Sequence, residues 1–125
     1  MILDTNAISA LLDGDTALQT VLDAADRHHL PAIALGEYRY GLKSSRHRQK
    51  LGALLDELEA ESFAVNLSAA TARHYADIRS ELKLAGHPIP ENDIWIAALG
   101  RQHRLAIVSR DEHFDAVAGV RRIGW

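Results

Sequence analysis

The chain has 125 residues, 47% of them hydrophobic and 25% charged, a size and balance that fit one soluble globular domain and exclude disordered or fibrous classes. Cysteine is absent, which excludes disulfides, iron–sulfur clusters and thiolate zinc sites. The formal net charge is −3, whereas a protein built only to coat nucleic acid is usually basic.

Residues 1–4 (MILD) read as a very short buried strand that ends on a carboxylate, Asp4. A short helix is expected over 7–12, stopped at Gly14. Leu18, Val21, Leu22 and Ala25 fall at i, i+3, i+4 and i+7, the stripe of an amphipathic helix over about 16–28 with Asp15 or Thr16 as its cap. The run LPAIAL at 30–35 is continuously apolar and reads as a strand buried on both faces, with helix following at once through GEYRYGL. Leu51, Leu54, Leu55 and Leu58 mark another helix, and SFAVN at 62–66 a third strand. Ser68 opens a long helix striped by Thr71, Tyr75, Ile78, Leu82 and Ala85, closed by Gly86. HPIPEN is a loop, DIWIAALGRQH an apolar helix, LAIVS a fourth strand, DEHFDAV a short helix and VRRIGW a last strand.

Apolar strands alternating with helices predict an α/β fold, a parallel sheet of about five short strands flanked by helices. One domain over 1–125 is expected. No run of about 18 apolar residues spans a membrane, and no basic-then-apolar leader is present, so a cytoplasmic location is expected.

In open parallel sheets, ligands bind at the carboxyl ends of the strands. Strand one ends at Asp4, strand two runs into Glu37, and the fourth ends at Ser109 with Asp111 following. Asp93 opens a helix and is not placed by this rule. Each acid taken singly is best explained as a helix cap or a first-turn acid, Ser109 and Glu112 included, since they have capping-box spacing. Three strand ends that all carry acids are less easily explained that way. Carboxylates brought together repel one another, and a divalent cation removes that cost. Oxygen-only ligands select Mg²⁺ or Mn²⁺, and such an ion supports attack of an activated water on a phosphodiester.

The segments LDTN, ALGEYRYGL, PENDIWIAA and VSRDEHFDAVAGV resemble, in that order, the four acidic motifs of PIN-domain ribonucleases, and most nearly those of VapC-type toxins. The resemblance spans nearly the whole chain and implies an α/β/α PIN fold. It implies that Asp4, Glu37, Asp93 and Asp111 form the catalytic site, with Asp4 and Asp93 as the firmest metal ligands. Asn6 and Ser109 are implied as supporting polar groups; many relatives have Thr at the Ser109 position, and either residue brings a hydroxyl. Asp115 competes for the fourth acidic place, but Asp111 lies nearer the strand end. The resemblance also implies a type II toxin–antitoxin pair, RNA as substrate (transfer RNA or other translation-related RNA), a cognate antitoxin, and a homodimer or toxin–antitoxin heterooligomer. The competing reading is a catalytically inactive PIN-like module that binds RNA or protein.

RYGLKSSRHRQK carries Arg39, Lys43, Arg46 and Arg48 without an acid. It reads either as an RNA-backbone track or as a solvated helical face. Arg outnumbers Lys 11 to 3, which favours planar phosphate contacts. The histidines show no metal-ligand spacing, and His113 is expected on a surface helix. A receiver domain and a dinucleotide-binding fold are unsupported, the second for want of G-x-G-x-x-G.

Overall fold

The computed structural model describes residues 1–25 and 27–125. Five parallel strands form one sheet in the order β3-β2-β1-β4-β5: β1 Ile2–Leu3, β2 His29–Pro31, β3 Phe63–Val65, β4 Ile107–Val108 and β5 Arg122–Ile123. Six α-helices connect and cover them: α1 Thr5–Leu12, α2 Thr16–Asp23, α3 Ala32–Leu42, α4 Arg48–Glu61, α5 Ala69–Leu84 and α6 Glu91–His103. A 3₁₀ helix, Glu112–Ala116, precedes β5. No helix among the described residues is long and apolar enough to cross a membrane.

β1 is the central strand. Successive strand residues point to opposite faces, and Ile2 and Leu3 are both fully buried, so the sheet is covered on both sides here. Ile107 and Val108 on β4 are equally buried, with Ile2 registered on Ile107 and Leu3 on Val108. Each such side chain contributes about 1.5–3 kcal/mol by leaving water. Two residues are therefore enough for β1, because both neighbouring strands and both covering layers hold it.

The strand order places a topological switch point between β1 and β4. From β1 the chain moves toward β2, and from β4 toward β5 on the other side. The crevice at the carboxyl ends of those two strands is where an α/β sheet receives ligands.

The helix ends follow local chemistry. Asp15 accepts the Leu18 N–H at 3.0 Å and caps α2. Ser68 and Thr71 form a reciprocal capping box on α5. Gly86 takes φ +67 just past the end of that helix, a conformation that glycine adopts without a Cβ clash.

Some boundaries differ from expectation. α2 ends at Asp23, short of 28, and residue 26 of the expected helix lies outside the described residues. The LPAIAL run is not a strand throughout: β2 stops at Pro31, and 32–35 already belong to α3. A short apolar run has no period that separates strand from buried helix, and Ala and Leu are strong helix formers. Glu37 therefore stands inside α3 rather than at a strand end. α6 begins at Glu91, so Asp93 is its third residue. β3 is an edge strand with Phe63 and Ala64 exposed and only Val65 buried.

Candidate functional site

Asp4 follows β1 directly and stands at the N-cap position of α1, yet its side chain makes no capping bond. It is buried, at 4% exposure. Its Oδ2 accepts the Ser109 hydroxyl at 2.8 Å and the Asn6 amide at 3.2 Å. The capping explanation of this acid therefore fails on geometry. Burial pushes the Asp4 carboxyl up to about 6, against the lowering effect of the Ser109 hydrogen bond, and Asp93 and Glu37 add repulsion.

Ser109 leaves β4 beside Asp4 and is fully buried. Its Oγ donates to Asp4 and accepts the Asp111 N–H at 2.9 Å. The Ser109–Glu112 capping box does not form. Asp111 caps the 3₁₀ helix instead, accepting the His113 N–H at 3.0 Å. Asn6 joins the same network: its amide donates to Ser109 Oγ at 3.0 Å, and its Oδ1 accepts the Arg110 N–H at 3.2 Å.

Glu37 reaches the site from α3. The Thr5 hydroxyl donates to Oε2 at 3.2 Å and the Asn92 amide to Oε1 at 2.9 Å. Asp93, in the first turn of α6, is 14% exposed at its side chain. Burial raises its pKa, His113 opposes this, and the charges of Asp111 and Glu37 raise it further. All four acids line one open cleft of about 820 Å³, together with Thr5 and Asn6.

Asp115 is not in that cleft lining. Both its oxygens are held by Arg122, at 2.9 and 2.8 Å. The basic residues divide as well. Arg39 pairs with Asp56 at 3.0 Å and with Glu59, which turns its guanidinium toward α4. Lys43 and Arg48 line a neighbouring groove between α3 and α4, and Arg46 lies near its end. Of this stretch, Gly41, Leu42, Ser45 and His47 line the cleft itself, and none of its Arg or Lys residues does. Arg110 borders the cleft but is paired with Asp15 at 2.7 Å and packed over the Trp125 ring.

Two contributors were not legible in sequence. Asn92 fixes Glu37, and only its place beside Asp93 hinted at a role. His113, expected on a surface helix, is exposed on the 3₁₀ helix, and its ring nevertheless reaches two of the acids. Its Nδ1 lies 2.8 Å from Asp111 Oδ1 and 3.2 Å from Asp93 Oδ2. Asp93, Asp111 and His113 bring one ligand atom each to within 4.8 Å of one another. Asp4 stands outside that tight trio, in the same cleft. A donor set dominated by carboxylates, with Asp4 and Asp93 held up by burial and by the charges of their acidic neighbours, fits a hard divalent cation, which would remove that repulsion.

A parallel sheet with acids gathered at its β1/β4 switch point defines a class, and comparison with known proteins defines it further. Residues 1–120 match the PIN domain family, and the chain belongs to that family. Within it the likeness is to VapC-type toxin ribonucleases. Ribonuclease VapC2 of Haemophilus influenzae is 30% identical over 95 residues, covering 75% of this chain and 72% of that protein. Toxin FitB of Neisseria gonorrhoeae is 33% identical over 121 residues, covering 89% and 87%. The crystal structure of VapBC-5 from Mycobacterium tuberculosis, a member of the VapBC family of toxin–antitoxin systems, has a TM-score of 0.79 at 26% identity. That match covers 99% of this chain and 97% of the other.

Proposed function

We propose that this chain is the toxin of a type II toxin–antitoxin pair and acts as a metal-dependent endoribonuclease. The observation that carries the reading is the arrival of Asp4, Glu37, Asp93 and Asp111, from four separate parts of the sequence, in one cleft. Asp4, Asp93 and Asp111 would hold Mg²⁺ or Mn²⁺. An ion held by these residues would supply Lewis acidity toward a phosphodiester and lower the pKa of a water.

The chain's own groups supply the rest. Ser109 and Asn6 fix the Asp4 carboxylate at its Oδ2, so that it does not turn away from the cleft when ionised. Thr5 and Asn92 hold one oxygen each of Glu37, which keeps this carboxylate facing the cleft as an acceptor for a water proton. No serine, cysteine or histidine nucleophile is used, and the products carry a 3′-hydroxyl and a 5′-phosphate. Lys43, Arg46 and Arg48 flank the cleft and contact the RNA backbone. Arg39 belongs to the same basic stretch, but its guanidinium is engaged by α4.

The VapBC-5 structure supports a partner of antitoxin type. A homodimer or a toxin–antitoxin heterooligomer in the cytoplasm, acting on transfer RNA or another translation-related RNA, completes the reading. Expression of wild type and Asp4→Asn in a bacterial host tests it. Wild type is expected to arrest growth and leave new RNA ends, and the variant to do neither. Growth arrest by Asp4→Asn with the same RNA ends overturns the site.

A further inference from the structure

Building on the metal-dependent reading above, we infer that His113 is itself a ligand of the cation, through Nδ1, so that the centre is mixed nitrogen–oxygen rather than all-carboxylate. Beside Asp4, three elements deliver donors: α6 brings Asp93, the segment after β4 brings Asp111, and the 3₁₀ helix brings His113. Around an octahedral ion with bonds of about 2.1 Å, adjacent donor atoms are about 3.0 Å apart. The ring nitrogen stands 2.8 Å from Asp111 Oδ1 and 3.2 Å from Asp93 Oδ2, the spacing of neighbouring ligands. Among the described residues those two carboxylates are the ring's only polar partners.

The placement is built into the backbone. Asp111 accepts the His113 N–H and so fixes the turn between them. Phe114, the next residue, is fully buried and anchors the 3₁₀ helix, and the half-exposed His113 ring lies against Asp93 and Asp111 at the cleft margin. The consequence is selectivity. Imidazole suits later first-row metals, whereas Mg²⁺ binds through oxygen and keeps its waters. A nitrogen donor adds little for Mg²⁺ and more for any first-row transition metal, with Mn²⁺ gaining the least of that series.

The test uses the full chain loaded with Mn²⁺ alone and read by pulsed electron paramagnetic resonance. An imidazole ¹⁴N coupling is expected in wild type and in His47→Gln, the histidine that lines the cleft wall, and is expected to vanish in His113→Gln. His113→Gln should lose about tenfold or more in Mn²⁺ affinity by calorimetry, and a smaller factor in Mg²⁺ affinity. His113 is 47% exposed at its side chain, so the variant keeps its fold. Bound Mn²⁺ without nitrogen coupling, or a coupling that survives His113→Gln, overturns the inference and leaves the metal-dependent reading standing. Failure of wild type to bind Mn²⁺ or Mg²⁺ at all overturns both.

Discussion

The Ser109 hydroxyl donates to Asp4 Oδ2 at 2.8 Å across the β4–β1 boundary. These two residues are 105 apart in sequence, yet each is the first residue past one of two paired strands. The bond ties the buried carboxylate to the fold, and through the Asp111 N–H it ties the fourth acid to the first.

Ser109→Ala removes that link. It leaves a buried carboxylate short of a donor and the Asp111 N–H short of an acceptor, which costs about 1–3 kcal/mol. Urea denaturation is expected to show a loss in that range. The Ser109 bond also holds the Asp4 pKa down, so the acid limb of the cleavage pH profile should move to higher pH. A variant as stable as wild type with an unmoved limb would refute both points.

Asp4 makes the metal-free chain less stable at neutral pH than at acid pH. Its pKa is raised from 3.8 to about 6, so the native state binds this proton more tightly than the unfolded state. Its contribution to stability is greatest at the lowest pH, falls as pH rises through this window, and levels off above about 6. Asp4→Asn retains an acceptor oxygen for Ser109 and Asn6 without the charge. In EDTA at pH 8 it should be more stable than wild type by about 1–3 kcal/mol, and at pH 4 the difference should shrink. Equal stabilities at pH 8 would show that burial of the charged form is not costly.

The coarse fold was legible because strong signals agreed. The four-residue start, the LAIVS run and the Ser68 cap each mapped to the element expected. The errors fell where two structures share one pattern. LPAIAL reads alike as strand or helix, and placing Glu37 at a strand end followed from that ambiguity. In the cleft, Asp4 and Asp111 could be placed by their positions after strands. Asp93 could not, since a helix N-terminus gives no direction in space; the family resemblance supplied it. His113 reads as a surface residue and is exposed, but its reach to Asp93 and Asp111 was not legible, because a lone histidine in a short helix carries no spacing signal.

Asp111 and Asp115 are separated by what holds them. Asp111 lines the cleft, and Asp115 is bidentate on Arg122 outside it. Asp111→Asn is expected to lose most cleavage and Asp115→Asn to cleave at near wild-type rate. The reverse result in a side-by-side RNA cleavage assay would move the fourth acid to Asp115.

The basic stretch should act unevenly. Arg46→Ala and Arg48→Ala are each expected to weaken binding to all RNA sequences alike and to lower the salt slope by about 1. Arg39→Ala should change RNA binding little, because Asp56 and Glu59 hold its guanidinium. Titration of a labelled RNA at several salt concentrations distinguishes them, and an Arg39 effect equal to the others would show that those ion pairs open on binding.

The most direct test of the central claim is cleavage of a defined RNA by the purified chain, with and without a chelator, beside Asp4→Asn. Wild type should cut in Mg²⁺ or Mn²⁺, leave 5′-phosphate ends and stop when EDTA is added. Asp4→Asn should fall by at least about a hundredfold, or about 2.7 kcal/mol in barrier, while remaining folded. Cleavage that persists in EDTA, or that is undiminished in Asp4→Asn, would contradict the account.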